Sequence, residues 1–236
     1  MKLQETVSLV TGAGRGIGKS IATTLAAEGS EIVLVSRTKS ELESVKNEIE
    51  HQGGKAHVIP ADITRPADVN RMFSEVSQRF RRLDILVNNA GIGHFAPVRD
   101  LSLDDFDAMW NVNMRALFLC TKEAVRIMEQ QKNGAIVNIS SLAGKNAFVN
   151  GAGYAATKWA LMGFAKCLML EVRSSNIRVI TICPGSVDTS FSHTKDQAKS
   201  DRIIHPQDVA DILLAAIKVP SRSMVSEIDI RPMNPA

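Results

Sequence analysis

Residues 11–18 of the chain are Thr11-Gly12-Ala13-Gly14-Arg15-Gly16-Ile17-Gly18, a glycine-rich stretch between a β-branched run and a helical pattern. Gly12 permits a tight turn, Gly16 lets a backbone approach a pyrophosphate, and Gly18 lets the helix pack closely on the strand. The N–H groups and the positive dipole end of that helix favour phosphate. The spacing is TGxxxGxG rather than the commoner GxGxxG, and a purely structural turn is the alternative reading. Its place between the first strand and the first helix favours a dinucleotide site.

Strand-like and helix-like segments alternate along the whole chain. The predicted strands are Thr6–Val10, Glu31–Val35, Ala56–Pro60, Asp84–Val87, Ala135–Ile139, Ile177–Ile182 and Val225–Ile230. The predicted helices are Ile17–Glu28, Lys39–Gln52, Pro66–Arg82, Ser102–Gln131, Ala152–Ser174 and Pro206–Lys218. Several strands are apolar throughout, as expected where helices cover both faces of a parallel sheet. The pattern predicts an α/β fold over residues 1–236: a single-domain doubly wound parallel sheet (Rossmann-like) of about seven strands with helices on both faces.

Two helix starts and one irregular segment complete this outline. Thr64, which precedes Pro66, and Ser102, which precedes an acidic turn, are the predicted N-caps. The segment 190–205 is mostly polar and lacks periodicity. We expect it to form a mobile loop on the substrate side of the sheet.

Composition and charge exclude several classes of function. The net charge is only +3 and the basic residues are interspersed, which argues against a nucleic-acid partner. No apolar window is long enough to cross a membrane. Three cysteines without CxxC spacing suit a reducing cytoplasm, and five scattered histidines without ligand spacing predict no metal site.

The end of the second strand carries the signal for cofactor choice. An acid there would bind the ribose hydroxyls of NAD, but the chain has Ser36 and Arg37 instead. Arg37 and Arg15 offer two guanidinium groups suited to a 2′-phosphate. The alternative reading is a pair of ordinary surface arginines. The sequence therefore favours NADP(H).

Tyr154 and Lys158 form the strongest catalytic signal in the second half of the chain. A spacing of four places both on one helix face, about 6 Å apart along the axis. A nearby ammonium is expected to lower the pKa of the phenol. An exposed, unrelated Tyr–Lys pair is the alternative, but Tyr154 is the only tyrosine in the chain. Ser141 follows the fifth predicted strand, and Asn113 lies in the long predicted helix before it.

In order and spacing, these motifs resemble the short-chain dehydrogenase/reductase family, and the likeness extends from Thr6 to Thr189. For the adenosine side of the cofactor, the resemblance implies roles for Asp62, Ile63, Asn89, Ala90 and Gly91. For the pyrophosphate and the 2′-phosphate, it implies Gly12, Gly14, Arg15, Gly16, Ile17, Gly18, Ser36 and Arg37. For the nicotinamide side, it implies Tyr154, Lys158, Pro184, Gly185, Val187 and Thr189.

The resemblance also implies a mechanism, namely reversible hydride transfer between nicotinamide and a carbonyl/alcohol pair. Ser141 would hydrogen-bond the carbonyl oxygen and Tyr154 would give it a proton. Lys158 would bind the nicotinamide ribose, and Asn113 would hold a water of the proton relay. These four residues are the predicted catalytic set.

The substrate is less clearly indicated. The overall pattern is most similar to 3-oxoacyl-acyl-carrier-protein reductases, which act in fatty acid biosynthesis and would need a basic rim, with Lys132, Arg173 and Arg178 as candidates. A sepiapterin-type diketone reductase and a non-catalytic NADP-binding scaffold are the alternatives. The expected pocket residues are Gly93, His94, Phe95, Leu142, Ala143, Phe148 and Ser186.

The family likeness also implies a homodimer or homotetramer, joined by helices Ser102–Gln131 and Ala152–Ser174. A thick core would also explain the apolar faces of these two helices.

Overall fold

Seven parallel strands form one sheet in a computed structural model that describes residues 1–189, 191 and 203–233. The strands are β1 (Val7–Thr11), β2 (Glu31–Ser36), β3 (Lys55–Pro60), β4 (Ile85–Asn88), β5 (Gly134–Ile139), β6 (Ile177–Pro184) and β7 (Glu227–Ile230). Their order is β3-β2-β1-β4-β5-β6-β7. The predicted single-domain α/β fold with a doubly wound parallel sheet is confirmed.

Seven α-helices cover the two faces of this sheet in the part of the chain just defined. They are α1 (Gly16–Ala27), α2 (Lys39–His51), α3 (Pro66–Phe80), α4 (Leu103–Trp110), α5 (Leu117–Gln131), α6 (Ala152–Val172) and α7 (Pro206–Lys218). Helices α1, α2 and α7 bury apolar side chains in one core cluster, whereas α3, α5 and α6 do so in the other. Successive strand residues point to opposite faces, so Leu9 and Val10 enter different clusters. Burial of each such side chain contributes about 1.5–3 kcal/mol.

The chain reverses its direction of winding between β1 and β4, which places a groove there. Val10 pairs with Leu34 of β2 on one side and with Val87 of β4 on the other. The connections after β1 and β4 leave in opposite directions, so their loops separate at the carboxyl edge of the sheet. Ligands of such sheets bind at this point, and the predicted site residues follow these strand ends.

The long helix predicted over Ser102–Gln131 is interrupted. A π-helical stretch, Asn111–Ala116, separates α4 from α5. Residue periodicity did not reveal it, because a stretch of about one turn is too short to show a period of its own. Stretches of this kind often occur at functional sites, and this one contains Asn113.

One of the two predicted helix caps is confirmed. The Ser102 hydroxyl accepts from the backbone N–H of Asp105 at 3.1 Å. Thr64 does not cap α3, whose N-cap is Arg65. The Thr64 hydroxyl instead donates to the Asp62 carboxylate at 2.7 Å, because that acceptor lies closer than the helix start.

Some sequence predictions fall partly or wholly outside the described residues. The predicted loop 190–205 is among them, apart from Phe191 and residues 203–205. Within the described ranges, no helix combines the length and apolar character needed to cross a bilayer. The same residues contain no group of three or more His, Cys, Asp or Glu side chains that could hold a metal ion.

Candidate active site

A continuous cavity of about 770 Å³ opens at the carboxyl edge of the sheet, around the groove between β1 and β4. Nearly all of the predicted site residues line it, although they come from seven separate parts of the chain. They are Gly12, Gly14, Arg15, Gly16, Ile17, Ser36, Arg37, Asp62, Ile63, Asn89, Ala90, Gly91, Ser141, Tyr154, Lys158, Pro184, Gly185, Val187 and Thr189. The two predicted residues that do not line the cavity are Gly18 and Asn113.

The glycine turn has the close backbone packing that its sequence predicts. Gly12 has a φ of +65°, and a Cβ there would lie 3.0 Å from the Ala90 Cα. Gly18 lies behind the turn, where a Cβ would overlap the Gly12 carbonyl oxygen. The Asn89 side chain ties the turn to the end of β4 by donating to the carbonyls of Thr11 (2.9 Å) and Gly12 (3.2 Å). Glycine at these positions therefore lets the turn after β1 pack against the loop after β4.

The N-terminus of α1 points its unpaired N–H groups toward this cavity. The N-cap Arg15 makes no side-chain hydrogen bond, and the first turn contains no acidic residue. The backbone donors of Gly16 and Ile17 therefore have no side-chain acceptor, and both residues line the cavity. This donor set fits a pyrophosphate.

Charged side chains gather at the cavity end formed by the strands β2 and β3. Arg37 follows β2, and its charge acts on Asp62, which follows β3. Partial burial acts to raise the pKa of Asp62, but hydrogen bonds from Thr64 and the charges of Arg37 and Arg65 outweigh it. The pKa of Asp62 therefore lies below its ordinary value, and the carboxylate is a permanent acceptor at neutral pH.

Glu41 is a cavity residue that sequence reasoning missed. Its carboxylate lies 3.8 Å from the Arg15 guanidinium, and a Cβ on Gly14 would lie 2.8 Å from one of its oxygens. The only signal was its place four residues after Arg37, in the first turn of α2, where an acid ordinarily stabilises the helix dipole. The Glu41 carboxylate would thus compete with a bound phosphate for the guanidinium of Arg15.

Tyr154 and Lys158 lie on the buried face of α6, as their spacing predicts. The Lys158 Nζ is 5.7 Å from the centre of the Tyr154 ring and donates to the Ile139 carbonyl at 3.0 Å. The Ser141 hydroxyl oxygen accepts from the Ala143 N–H at 3.1 Å, which leaves its own proton free to donate. The three side chains thus meet at one end of the cavity.

The predicted lowering of the Tyr154 pKa is wrong for the protein chain itself. Burial raises the pKa of Tyr154 to about 12, and hydrogen bonding to Ser141 opposes this only in part. Burial likewise lowers the pKa of Lys158 to about 8. The sequence argument counted the charge of the amine but not the desolvation of both groups, which is the larger effect here.

The side chain of Asn113 does not line the cavity, and its polar atoms bond to protein groups. Its side-chain oxygen accepts from the Ile92 N–H at 2.9 Å, and its nitrogen donates to the Ile92 carbonyl at 2.9 Å and to Thr157 at 3.0 Å. The Thr157 hydroxyl donates in turn to the Tyr154 carbonyl at 2.8 Å. Asn113 therefore ties the loop after β4 to the turn of α6 that carries Tyr154.

The remaining end of the cavity is formed mainly by apolar groups. Five of the predicted substrate residues line it, namely Phe95, Leu142, Ala143, Phe148 and Ser186. The structure adds Ile92, Val112, Phe191 and Pro232. Gly93 and His94 do not line the cavity, since Gly93 lies beneath the phenylalanine rings and His94 pairs with Asp105 at 3.2 Å.

Comparison with known proteins agrees with this geometry. A sequence model of the short chain dehydrogenase family matches residues 6–200. The chain belongs to that family. The predicted family resemblance is confirmed, and the chain is an oxidoreductase of the short chain dehydrogenase type.

Similar oxidoreductases match over nearly the whole chain. Sepiapterin reductase of Chlorobaculum tepidum is 35% identical over 233 residues, which are 96% of each chain. An uncharacterized oxidoreductase of Staphylococcus aureus (strain MRSA252) is 34% identical over 231 residues, 98% of this chain and 99% of the relative. The crystal structure of a metagenomic short-chain oxidoreductase in complex with NADP superposes with a TM-score of 0.88 at 34% identity and full coverage of both chains.

The basic rim predicted for this short chain dehydrogenase is not at the cavity. Lys132 ends α5 just before β5, and Arg173 follows α6 just before β6. Arg178, the second residue of β6, donates to the carbonyls of Ile217 (3.0 Å) and Val219 (3.3 Å). All three cations thus lie at the amino ends of the strands, whereas the cavity opens at the carboxyl ends.

The buried side chains of Lys158 and Tyr154 make the free energy of unfolding of this dehydrogenase vary with pH in the alkaline range. The folded pKa of Lys158, about 8, lies below its ordinary 10.5, so the unfolded chain binds an extra proton between these values. The free energy of unfolding therefore rises from pH 8 to 10.5, by on the order of 3 kcal/mol. For Tyr154 the folded pKa is about 12 against 10.0, so its contribution falls from pH 10 to 12.

Urea unfolding of wild type and Lys158→Met between pH 7 and 10 measures the lysine contribution. We expect the wild type to gain stability relative to the variant as the pH rises, because the variant has no proton to lose. A constant difference across this range would contradict the assigned burial effect. Phenolate absorbance gives the tyrosine pKa directly, since Tyr154 is the only tyrosine in the chain.

Proposed function

We propose that the chain is an NADP(H)-dependent reductase that interconverts a ketone and a secondary alcohol. One observation carries this proposal: a buried phenol, an amine and a hydroxyl, from Tyr154, Lys158 and Ser141, share a cavity with a glycine turn and two arginines. When bound, the dinucleotide supplies the hydride, so that a ketone, NADPH and one proton become a secondary alcohol and NADP⁺.

The residues in the cavity fit this dinucleotide from end to end. The uncapped N–H groups of Gly16 and Ile17 would bind the pyrophosphate, and Arg15 and Arg37 would bind the 2′-phosphate. Lys158 would bind the nicotinamide ribose. The adenosine end would contact Asp62, Ile63, Asn89, Ala90 and Gly91. The nicotinamide end would contact Pro184, Gly185, Val187 and Thr189. The NADP complex of the similar metagenomic oxidoreductase supports this assignment.

Tyr154 would give the proton to the substrate oxygen. Because burial raises its pKa to about 12, the phenol keeps its proton at neutral pH and can release it to an oxygen that becomes more basic. The Ser141 hydroxyl, which is also hydrogen-bonded to Tyr154, would donate its proton to the same oxygen. These two donors supply the hydrogen bonds that ketone reduction requires.

Lys158 and Asn113 would support the proton transfer without contacting the substrate oxygen. One of the amine protons is held by the Ile139 carbonyl, which leaves two others for ribose hydroxyls. Asn113 would act as a positioning residue, because its contacts reach Tyr154 only through Thr157 and the α6 backbone.

The substrate that fits best is a small ketone or diketone rather than a carrier-bound thioester. The candidate basic residues for an acidic carrier protein lie at the other edge of the sheet, and the described substrate end is apolar. The similarity to a sepiapterin reductase favours the same choice. A 3-oxoacyl thioester is the second candidate, on the overall sequence pattern alone.

The assembly we propose is a homodimer or homotetramer in the cytoplasm. Helices α5 and α6 expose Phe118, Trp159 and Leu170, large side chains that a partner copy would cover. Cys120, Cys167 and Cys183 are all free thiols, which suits a reducing compartment. Sedimentation equilibrium measures the assembly directly.

A carbonyl panel followed by NADPH absorbance tests the proposed function. The panel contains a small diketone, sepiapterin and an acetoacetyl thioester, each with NADPH and with NADH. We expect the diketone with NADPH to give the largest kcat/KM. Steady absorbance with every carbonyl, while the protein binds NADPH, would instead favour a non-catalytic NADP-binding protein.

A further inference from the structure

Three phenylalanine rings line the cavity around Tyr154. The Phe95 ring lies 5.4 Å from the Tyr154 ring in an edge-to-face arrangement, and the Phe191 ring lies 5.9 Å from it on another side. The Phe148 ring extends this wall, 5.9 Å from Phe95. We name Phe95, Phe148 and Phe191 the phenylalanine wall.

Glycines fix the position of this wall. A Cβ on Gly93 would lie 2.9 Å from the Phe95 ring and 3.0 Å from the Phe191 ring, so both rings rest on a residue without a side chain. A Cβ on Gly151 would overlap the Phe148 ring in the same way. The rings therefore occupy space that a larger residue at either glycine would fill.

The wall is apolar surface that the protein core does not cover. Phe95, Phe148 and Phe191 are 47%, 46% and 39% exposed, respectively, unlike the buried ring of Tyr154. Proteins rarely gather large exposed apolar rings in a cavity unless a ligand covers them. Since these rings surround the proposed proton donor, the ligand they would cover is the substrate.

Charge is distributed unevenly along the same cavity. Among the described lining residues, the charged ones apart from Lys158 are Arg15, Arg37, Glu41 and Asp62. These four lie at the nucleotide end, near the glycine turn and the ends of β2 and β3. The wall would therefore contact an uncharged group most favourably.

We propose that the substrate carries an aromatic ring, on the carbonyl carbon or one carbon away, which packs on the phenylalanine wall. This proposal rests on the proposed function. Aromatic rings prefer edge-to-face or offset contacts with other rings, a preference that a saturated ring of similar size does not share. The carbonyl oxygen of such a substrate would lie between Ser141 and Tyr154, with the ring against Phe95.

A matched pair of diketones tests the wall. Phenylpropanedione is compared with its cyclohexyl analogue in wild type, Phe95→Leu and Phe148→Leu, and the quantity measured for each compound is kcat/KM. The control is Phe80→Leu, whose ring lies at the end of α3, outside the cavity. In wild type and control we expect the phenyl compound to be preferred about tenfold, through KM. In the two wall variants we expect the preference to fall to about twofold or less.

Binding without turnover separates this proposal from the proposed function. Calorimetric titration of the NADP⁺-loaded Tyr154→Phe protein with both diketones gives the two dissociation constants. Tighter phenyl binding, lost on adding Phe95→Leu, supports the wall even if no carbonyl of the panel is reduced. Equal binding and equal kcat/KM for the two compounds in wild type would overturn it, although reduction of both would leave the proposed function standing.

Discussion

The Tyr154→Phe variant is expected to bind NADPH within about threefold of wild type while its kcat for ketone reduction falls by about 10³-fold, within the range for a lost acid catalyst. The hydroxyl is the only group removed, and it is the proposed proton donor. The ring contacts with Phe95 and Phe191 do not depend on it. Cofactor residues such as Arg37 and Gly16 lie in the other part of the cavity, so NADPH binding has little reason to change.

Single-turnover measurement of NADPH oxidation, with NADPH binding followed by fluorescence, checks this result. The free energy of unfolding is the control, because it shows whether the loss of turnover reflects a damaged fold. We expect it to change by no more than about 1 kcal/mol. A reduction rate within tenfold of wild type would remove Tyr154 from its assigned role.

The architecture was accessible from the sequence because the signals for it are local. Buried parallel strands carry continuous apolar runs, as residues 32–35 of β2 show, and the glycine turn is fixed by backbone geometry at Gly12 and Gly18. Strand order then follows from connections that are short and of one hand. The carboxyl edge, and with it most of the candidate site, could therefore be placed without coordinates.

What the sequence did not reveal depends on packing between distant segments. The pKa of Tyr154 is set by burial, to which Phe95 and Phe191 contribute from other loops. The hydrogen bonds of Asn113 to Ile92 cross 21 positions of the chain. Charge, spacing and periodicity carry little information on either of these.

Arg37→Asp is expected to raise the dissociation constant of NADPH by about 100-fold and that of NADH by about threefold or less. A guanidinium hydrogen bond to the 2′-phosphate is lost and a repulsive carboxylate takes its place, whereas NADH has no phosphate there. Arg15 is 72% exposed and already faces Glu41 at 3.8 Å, so it compensates poorly. Glu41→Gln removes the carboxylate that would compete for Arg15, so this variant should bind NADPH a few-fold more tightly.

Fluorescence titration with both cofactors at low and at physiological salt measures these constants. The control is Arg222→Asp, which makes the same charge change at an exposed residue between α7 and β7, outside the cavity. A general electrostatic effect would appear in both variants and would be screened by salt, whereas loss of a direct phosphate contact appears only at Arg37. If Arg37→Asp keeps the wild-type preference between NADPH and NADH, the 2′-phosphate must bind elsewhere, and Arg15 alone becomes the candidate.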